Sequence, residues 1–128
     1  MRNECDNSLR VKRFEAATKA RKVASLETTI RDLDSMAAAL SQQIAAEEYR
    51  TKVSDAQRAN YSMVAISAAA RRRKLMVSLG DLRPALEAAN REYATAAAEV
   101  RNLEMALGVP SENANLAQPE HDKAPGPL

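Results

Sequence analysis

Two stretches of this chain repeat their apolar residues at alternating intervals of three and four, and this spacing constrains the fold more than any other feature. Such a repeat keeps one stripe of side chains on a helix facing a partner helix, a regularity that no globular core demands. The first seam comprises Val23, Leu26, Ile30, Leu33, Ala37, Leu40 and Ile44. The second comprises Leu75, Leu79, Leu82, Leu86, Ala89, Tyr93, Ala96, Val100, Leu103 and Leu107. The sequence therefore predicts an all-α fold built from two long helices.

Between the seams the repeat lapses over YRTKVSDAQRANYS, where Ser54 and Asp55 offer side chains that cap a new helix. Two helices joined by one short connection favour an antiparallel coiled-coil hairpin. We expect a disordered leader over residues 1–7 and a hairpin domain over 8–108. Within the hairpin, helix one covers about 8–50, the tip about 51–57 and helix two about 58–107. At about 1.5 Å per residue, such helices form a rod roughly 60 to 75 Å long.

The heptad positions leave two pairings of the helices open. In one register the numbers of paired residues sum to 112, which sets Leu26 on Leu86 and Leu33 on Leu79. In the other they sum to 105. The spacing alone does not choose between them, because both place a positions against d positions, as an antiparallel pair requires.

Gly80 and Pro84 interrupt the pattern of helix two. An interior proline removes a backbone hydrogen bond and clashes with the carbonyl four residues earlier, which here belongs to Gly80. The seam keeps its phase through this region, which favours a kink over a break. The alternative is a fresh helix capped by Asp81.

The end of helix two is predicted at ALGVP, because Gly108 suits a left-handed C-terminal cap and Pro110 cannot continue a helix. Residues 109–128 are rich in proline, asparagine and acid. This composition predicts a disordered tail.

The composition argues against an enzyme and against a membrane-spanning protein. The single histidine, His121, lies in the predicted tail, and no phosphate-binding loop or metal-binding HExxH pair is present. The single cysteine, Cys5, excludes an intrachain disulfide and favours a reducing compartment. No apolar run approaches the roughly 20 residues of a membrane span, and no signal-peptide core is present. We expect a non-enzymatic, cytoplasmic protein without metal or cofactor.

Positive charge is concentrated in two zones, although the net charge is only +2. Residues 1–24 contain seven basic and three acidic residues, and the run from Arg71 to Lys74 places four cations in succession. Consecutive residues on a helix fan out over roughly 300°, so only about two of the four can face one partner. The run therefore admits three interpretations: a solvated collar that sets register, a protein-binding patch, or a contact to DNA phosphates.

The chain resembles the flagellar export protein of the FliJ family, particularly its α-proteobacterial branch. The resemblance is carried by SLRVKRFEAATKARKVASLETTIRDLDSMAAALSQQIAAEE and NYSMVAISAAARRRKLMVSLGDL. These stretches combine basic first turns, a Leu-Glu-x-x-Ile step, a Met-Ala-Ala-x-Leu step and a tyrosine near the start of helix two. The resemblance extends over most of residues 8–107.

The resemblance implies a non-enzymatic component of the flagellar type III export apparatus, needed for flagellum assembly and motility. Its coiled coil, similar to the central stalk of rotary ATPases, would couple the hexameric export ATPase to the membrane-embedded export gate and escort export chaperones. It would lie in the cytoplasm, peripherally associated with the inner face of the cell membrane at the flagellar base. No nucleic-acid partner is expected.

The resemblance also implies two contact surfaces. The ATPase would meet the end of the hairpin that carries both termini, with the candidates Leu9, Arg10, Lys12, Arg13, Arg21, Val100, Leu103 and Leu107. The export gate would meet a patch early in helix two, with the candidates Tyr61, Val64, Ala68 and Leu75. Several of these are also seam residues, for which simple packing is the competing interpretation.

Two other functions compete with flagellar export. In the first, residues 75–107 zip to a second copy of the chain and Arg71 to Lys74 bind nucleic acid, as in leucine-zipper proteins. This model predicts a dimer whose DNA binding falls steeply with salt. The second is a generic structural coiled coil without a motor partner.

Overall fold

The structure, a computed structural model, describes residues 2–111. Helix α1 covers Arg2–Thr51 and helix α2 covers Met63–Leu107. The two long helices pack against each other, so the predicted all-α fold is confirmed. The predicted tail lies almost wholly outside the described residues.

Helix α1 begins at Arg2, whereas the sequence predicted a disordered leader over residues 1–7 and a helix from about residue 8. This stretch contains neither glycine nor proline, and extending an existing helix by one residue costs far less than nucleating one. The helix ends at Thr51, and Lys52 then takes a left-handed conformation with φ of 59°. The Thr51 hydroxyl stabilises this end by donating to the carbonyl of Glu47 and accepting from the backbone N–H of Val53.

The connection covers residues 52–62, so α2 begins about five residues later than the sequence predicted. Asp55 does not cap α2. Its carboxylate instead accepts a hydrogen bond from the backbone N–H of Gln57 at 2.9 Å, which forms a turn within the connection. The capping residue is Ser62, whose hydroxyl accepts from the backbone N–H of Ala65 at 3.2 Å.

Helix α2 continues through Gly80 and Pro84 without interruption, and Asp81 does not start a new helix. Its C-terminus has the expected glycine cap, with Gly108 at φ of 69°. Gly108 N–H bonds to the carbonyl of Met105, and Val109 N–H to that of Glu104. These two bonds are the pattern of the Schellman motif.

The chain divides into two compact units. The terminal unit consists of Met1–Val23 and Ala89–Leu128, described here over residues 2–23 and 89–111. Its core is formed by Leu9, Ala16, Ala96 and Val100, with Leu103, Leu107 and Val109 packed against them. Because the beginning of α1 meets the end of α2, the helices run antiparallel in this unit.

The connection unit is Ala24–Ala88. One of its clusters joins Val53, Tyr61 and Ala65, with Ile44 packed against them. Further along α2, Leu79 is fully buried. The remaining seam residues of both units are buried or half-buried: Val23, Leu26, Ile30, Leu33, Leu40, Leu75, Leu82, Leu86 and Tyr93.

Candidate partner-binding surfaces

The apolar ATPase-contact candidates lie in the core of the terminal unit. Leu9 is 5% exposed and Val100 is 1% exposed. Leu103 and Leu107 are half-buried against the same cluster. These four side chains hold the two helices together, which leaves little of their surface for a partner.

Two of the basic ATPase-contact candidates pair with carboxylates of α2. The Arg13 guanidinium lies 3.0 Å from an oxygen of Glu104, and it also donates to the backbone carbonyl of Pro110 at 3.3 Å. Glu104 is only 3% exposed, so this charge depends on its partner. Lys12 lies 3.6 Å from Glu99. Arg13 therefore has a structural role within the terminal unit, whereas the more exposed Lys12–Glu99 pair contributes little.

The seam pattern did not identify Glu104, which follows the seam residue Leu103 in the sequence. Nor did it identify the contacts of Glu92, which lies 3.1 Å from Lys19 and 3.8 Å from Lys22. The hydrogen bond and charge of Lys19, together with the charge of Lys22, lower the pKa of Glu92. The sequence signal for these pairs is that the beginning of the first helix is basic and the end of the second is acidic.

Arg10 and Arg21 remain exposed on α1. Arg10 donates to the side chain of Asn7, and Arg21 lies 6.0 Å from the ring centre of Phe14 in a cation–π contact. Phe14 is 67% exposed, and Val11 is 54% exposed. The beginning of α1 therefore exposes apolar surface beside two arginines.

The first gate-contact candidate, Tyr61, is engaged inside the connection unit. It is 9% exposed, and its hydroxyl donates to Glu48 at 2.6 Å, a bond that raises the pKa of Tyr61 together with burial and the charge of Glu48. Next to it, the Ser62 hydroxyl donates to Glu47 at 2.6 Å. Hydrogen bonds from Arg50 and then from Ser62 lower the pKa of Glu47 from 4.5 to about 2. This network fixes the connection to the end of α1.

The other gate-contact candidates do not share one surface. Ala68 is 1% exposed and belongs to the packed face of α2, whereas Val64 is 46% exposed. Leu75 is half-buried and lines a groove further along the helix. The family resemblance therefore grouped four residues that the structure distributes between the core and the surface.

The groove that Leu75 lines has a volume of about 480 Å³, and we call it the cation groove. It lies between α1 and α2 within the connection unit, and its lining residues are Met36, Ala39, Leu40, Gln43, Arg71, Lys74 and Leu75. Arg71 and Lys74 belong to the run of four cations. Arg72, between them, has a half-buried side chain whose Nε is buried without a hydrogen-bond acceptor among residues 2–111.

No carboxylate among the described residues pairs with Arg71, Arg72, Arg73 or Lys74. The sequence explains this, because residues 35–46 of α1 and residues 56–80 contain neither aspartate nor glutamate. The ion pair Asp34–Arg83, at 2.8 Å, marks one boundary of this acid-free zone. Glu47 with Arg50 marks the other.

Neither described helix has the apolar length that a membrane crossing requires. Over residues 2–111, no group of three or more histidine, cysteine, aspartate or glutamate side chains is arranged to hold a metal ion. Comparison of the chain with protein-family models, curated proteins and solved structures gave no match.

Proposed function

We propose that this chain is a non-enzymatic component of the bacterial flagellar type III export apparatus. In this role it couples the hexameric export ATPase to the membrane-embedded export gate and escorts export chaperones. The proposal starts from the resemblance of residues 8–48 and 60–82 to the FliJ family. The structural observation that carries it is the packing of the first turns of α1 against the last turns of α2, because a stalk of this kind presents both termini to one ring.

We further propose that the two helices form a coiled-coil hairpin in the register that sums to 112. The ion pairs Lys12–Glu99 and Lys19–Glu92 support this register, since each lies within one residue of it. The alternative register, 105, is six residues from these pairs, about 1.7 helical turns. Pro84 inside α2 supports a kink, because its missing N–H leaves the carbonyl of Gly80 without its helical partner.

In this proposal the ATPase contact centres on Arg10, Phe14 and Arg21. These side chains are exposed, whereas Leu9 and Val100 are buried in the core. Exposed cations at the base of a stalk can be attracted by acidic loops of a ring. Arg13 contributes indirectly, by holding the end of α2 through Glu104.

The nucleic-acid alternative draws on the run from Arg71 to Lys74, which has no carboxylate partner within residues 2–111. Burial of the second seam against α1 of the same chain weighs against it, because a zipper dimer needs that seam for a second copy. Residues 59–70 also lack any cation, whereas a DNA-reading basic helix carries cations over several turns. A generic structural coiled coil remains the simplest rival.

The deciding experiment is a binding titration of the purified chain with the flagellar export ATPase of the same organism, at about 0.15 M salt. We expect saturable binding that the variant Arg10→Glu, Phe14→Ala, Arg21→Glu loses. This variant leaves the Arg13–Glu104 pair intact, so a loss of binding does not arise from a broken core. The control Arg91→Glu, Arg101→Glu reverses the charge of two exposed cations of α2.

Absence of ATPase binding would reject the coupling role. Motility and secretion of flagellar subunits that persist after deletion of the gene would reject flagellar export altogether. Binding of duplex DNA in place of the ATPase, with a steep decrease at higher salt, would favour the nucleic-acid alternative.

A further inference from the structure

We propose that the cation groove is a docking site for an acidic amphipathic helix of a partner protein. This inference goes beyond the proposed function, because it concerns a different surface from the ATPase contact and specifies the chemistry of the partner. Of the gate-contact candidates, only Leu75 lines the groove. The site would exist whether or not the chain takes part in flagellar export.

The apolar lining of the groove fits side chains arranged along a helix. On α1 the groove is lined by Met36, Ala39, Leu40 and the polar Gln43, which recur at the intervals of one helical face over about two turns. Met36 is 52% exposed, so the isolated chain leaves apolar surface uncovered. Flexible methionine side chains adapt to helices laid against them. An elongated amphipathic ligand matches this geometry better than a compact one.

The charge of the groove specifies acidic residues on that ligand. Arg71 and Lys74 both line it, and they are three residues apart, so they lie on one side of α2. Neither has a carboxylate partner among the described residues, as shown above. Since neither facing segment supplies an acid, an outside carboxylate is what would compensate this positive potential.

Three other occupants fit the groove less well. DNA would use the cations but would leave the exposed apolar surface of Met36 uncovered. A flat anionic membrane does not enter a groove between two helices. A second copy joined by two-fold symmetry would bring like cations face to face, because such an interface places each patch against itself.

The test uses the full chain and a fluorescent synthetic peptide, a helix with a leucine stripe flanked by glutamates. Three matched peptides replace the glutamates by glutamine, the glutamates by lysine, or the leucines by serine. Binding is measured by fluorescence anisotropy at about 0.15 M salt. Duplex DNA and phosphatidylserine-containing vesicles are titrated in parallel, and analytical ultracentrifugation reports the oligomeric state.

We expect saturable binding of the glutamate peptide, with weaker binding of each matched peptide. The variant Arg71→Glu, Lys74→Glu should weaken binding on the order of tenfold or more, because it reverses both charges at the groove. Met36→Asp should also weaken binding, and its exposed position preserves the fold. The control Arg91→Glu, Arg101→Glu makes the same charge change at exposed sites outside the groove and should stay within about twofold.

Amide chemical-shift changes on addition of the glutamate peptide should fall on residues 36–43 and 71–75. The proposal is overturned if the glutamate peptide does not bind, if the lysine peptide binds equally well, or if the charge reversal at Arg71 and Lys74 has no effect. It is also overturned if the same reversal abolishes only DNA binding, only vesicle binding, or self-association.

Discussion

The main basic zones of the two units differ in how their cations are paired. In the terminal unit, Lys12, Arg13 and Lys19 each reach a carboxylate on the other helix. In the connection unit, Arg71 and Lys74 line a groove without a carboxylate partner among the described residues. In the sequence alone, both zones are simply basic segments. The role of a basic segment depends on whether the segment packed against it carries acidic residues.

This difference in pairing follows from the positions of the acidic residues. Glutamates at 92, 99 and 104 face the basic first turns of α1, so charge there is matched across the helix pair. Residues 35–46, on the α1 segment that lines the cation groove, contain alanine, serine, glutamine and apolar residues but no acid. Lys12, Arg13 and Lys19 of the terminal unit therefore have carboxylates to pair with across the helices, whereas Arg71 and Lys74 of the connection unit have none among the described residues.

The largest expected effect breaks the pairing in the terminal unit. Replacing Arg13 by alanine leaves the Glu104 carboxylate buried without this partner and removes the bond to the Pro110 carbonyl. We expect a loss of about 2 kcal/mol in the free energy of unfolding, below the range for fully buried pairs because Arg13 is 27% exposed. Urea denaturation followed by circular dichroism measures this loss.

Two companion variants of Arg13→Ala make the result specific. Arg101→Ala, at an exposed cation of the same unit, should stay within about 0.5 kcal/mol of the parent. Adding Glu104→Leu to Arg13→Ala should recover part of the stability, because no buried charge then remains. An Arg13→Ala chain as stable as the parent would contradict a structural role for the pair.

The sequence predicted correctly those features of the fold that depend on a local residue preference or on a periodic pattern. The alternation of three and four residues predicted two long packed helices, and Gly108 marked the end of α2 because few other residues adopt its left-handed conformation. It failed where the determinant is a contact between distant residues. Ser62 was overlooked as the cap of α2, since Ser54 and Asp55 offer the same chemistry seven or eight residues earlier.

The candidate contacts show the same limit. Val100 was both a seam residue and a contact candidate in the sequence, and the packing of the helices shows that it is buried. Glu104 lies beside a seam position, and its burial depends on the reach of Arg13 from the other helix. The acid-free stretches around Arg71 to Lys74, by contrast, are visible in the sequence alone, and they needed the helix pairing to acquire a meaning.

A smaller change in stability is expected for the Glu47–Arg50 ion pair of the connection unit. Hydrogen bonds from Arg50 and Ser62 hold the pKa of Glu47 at about 2, below its ordinary value of 4.5. The unfolded chain therefore binds a proton more readily than the folded chain, so this contribution is complete above about pH 4.5 and is lost as the pH falls toward 2. Glu47→Gln should destabilise the chain at pH 7 and flatten its loss of stability in acid.

Thermal unfolding of parent and variant at a series of pH values between 7 and 2 measures this effect. Glu27→Gln is the matched control, because Glu27 is exposed and no ion pair involves it among residues 2–111. Its pH profile should follow that of the parent. Identical profiles for Glu47→Gln and the parent would contradict the lowered pKa.

The smallest change in stability is expected for Arg71 and Lys74. Replacing both by glutamine removes repulsion within the run and breaks no ion pair among residues 2–111, so the free energy of unfolding should stay constant or rise by up to about 0.5 kcal/mol. The matched change of Lys19 and Lys22 to glutamine should instead lower it slightly, because Glu92 loses both partners. Repeating both measurements at about 1 M salt should remove most of the difference in stability, since salt screens exposed charges.

If neutralising Arg71 and Lys74 destabilised the chain as much as neutralising Lys19 and Lys22, the run from Arg71 to Lys74 would have internal partners after all. The cation groove would then lose the positive potential on which the binding of an acidic helix depends.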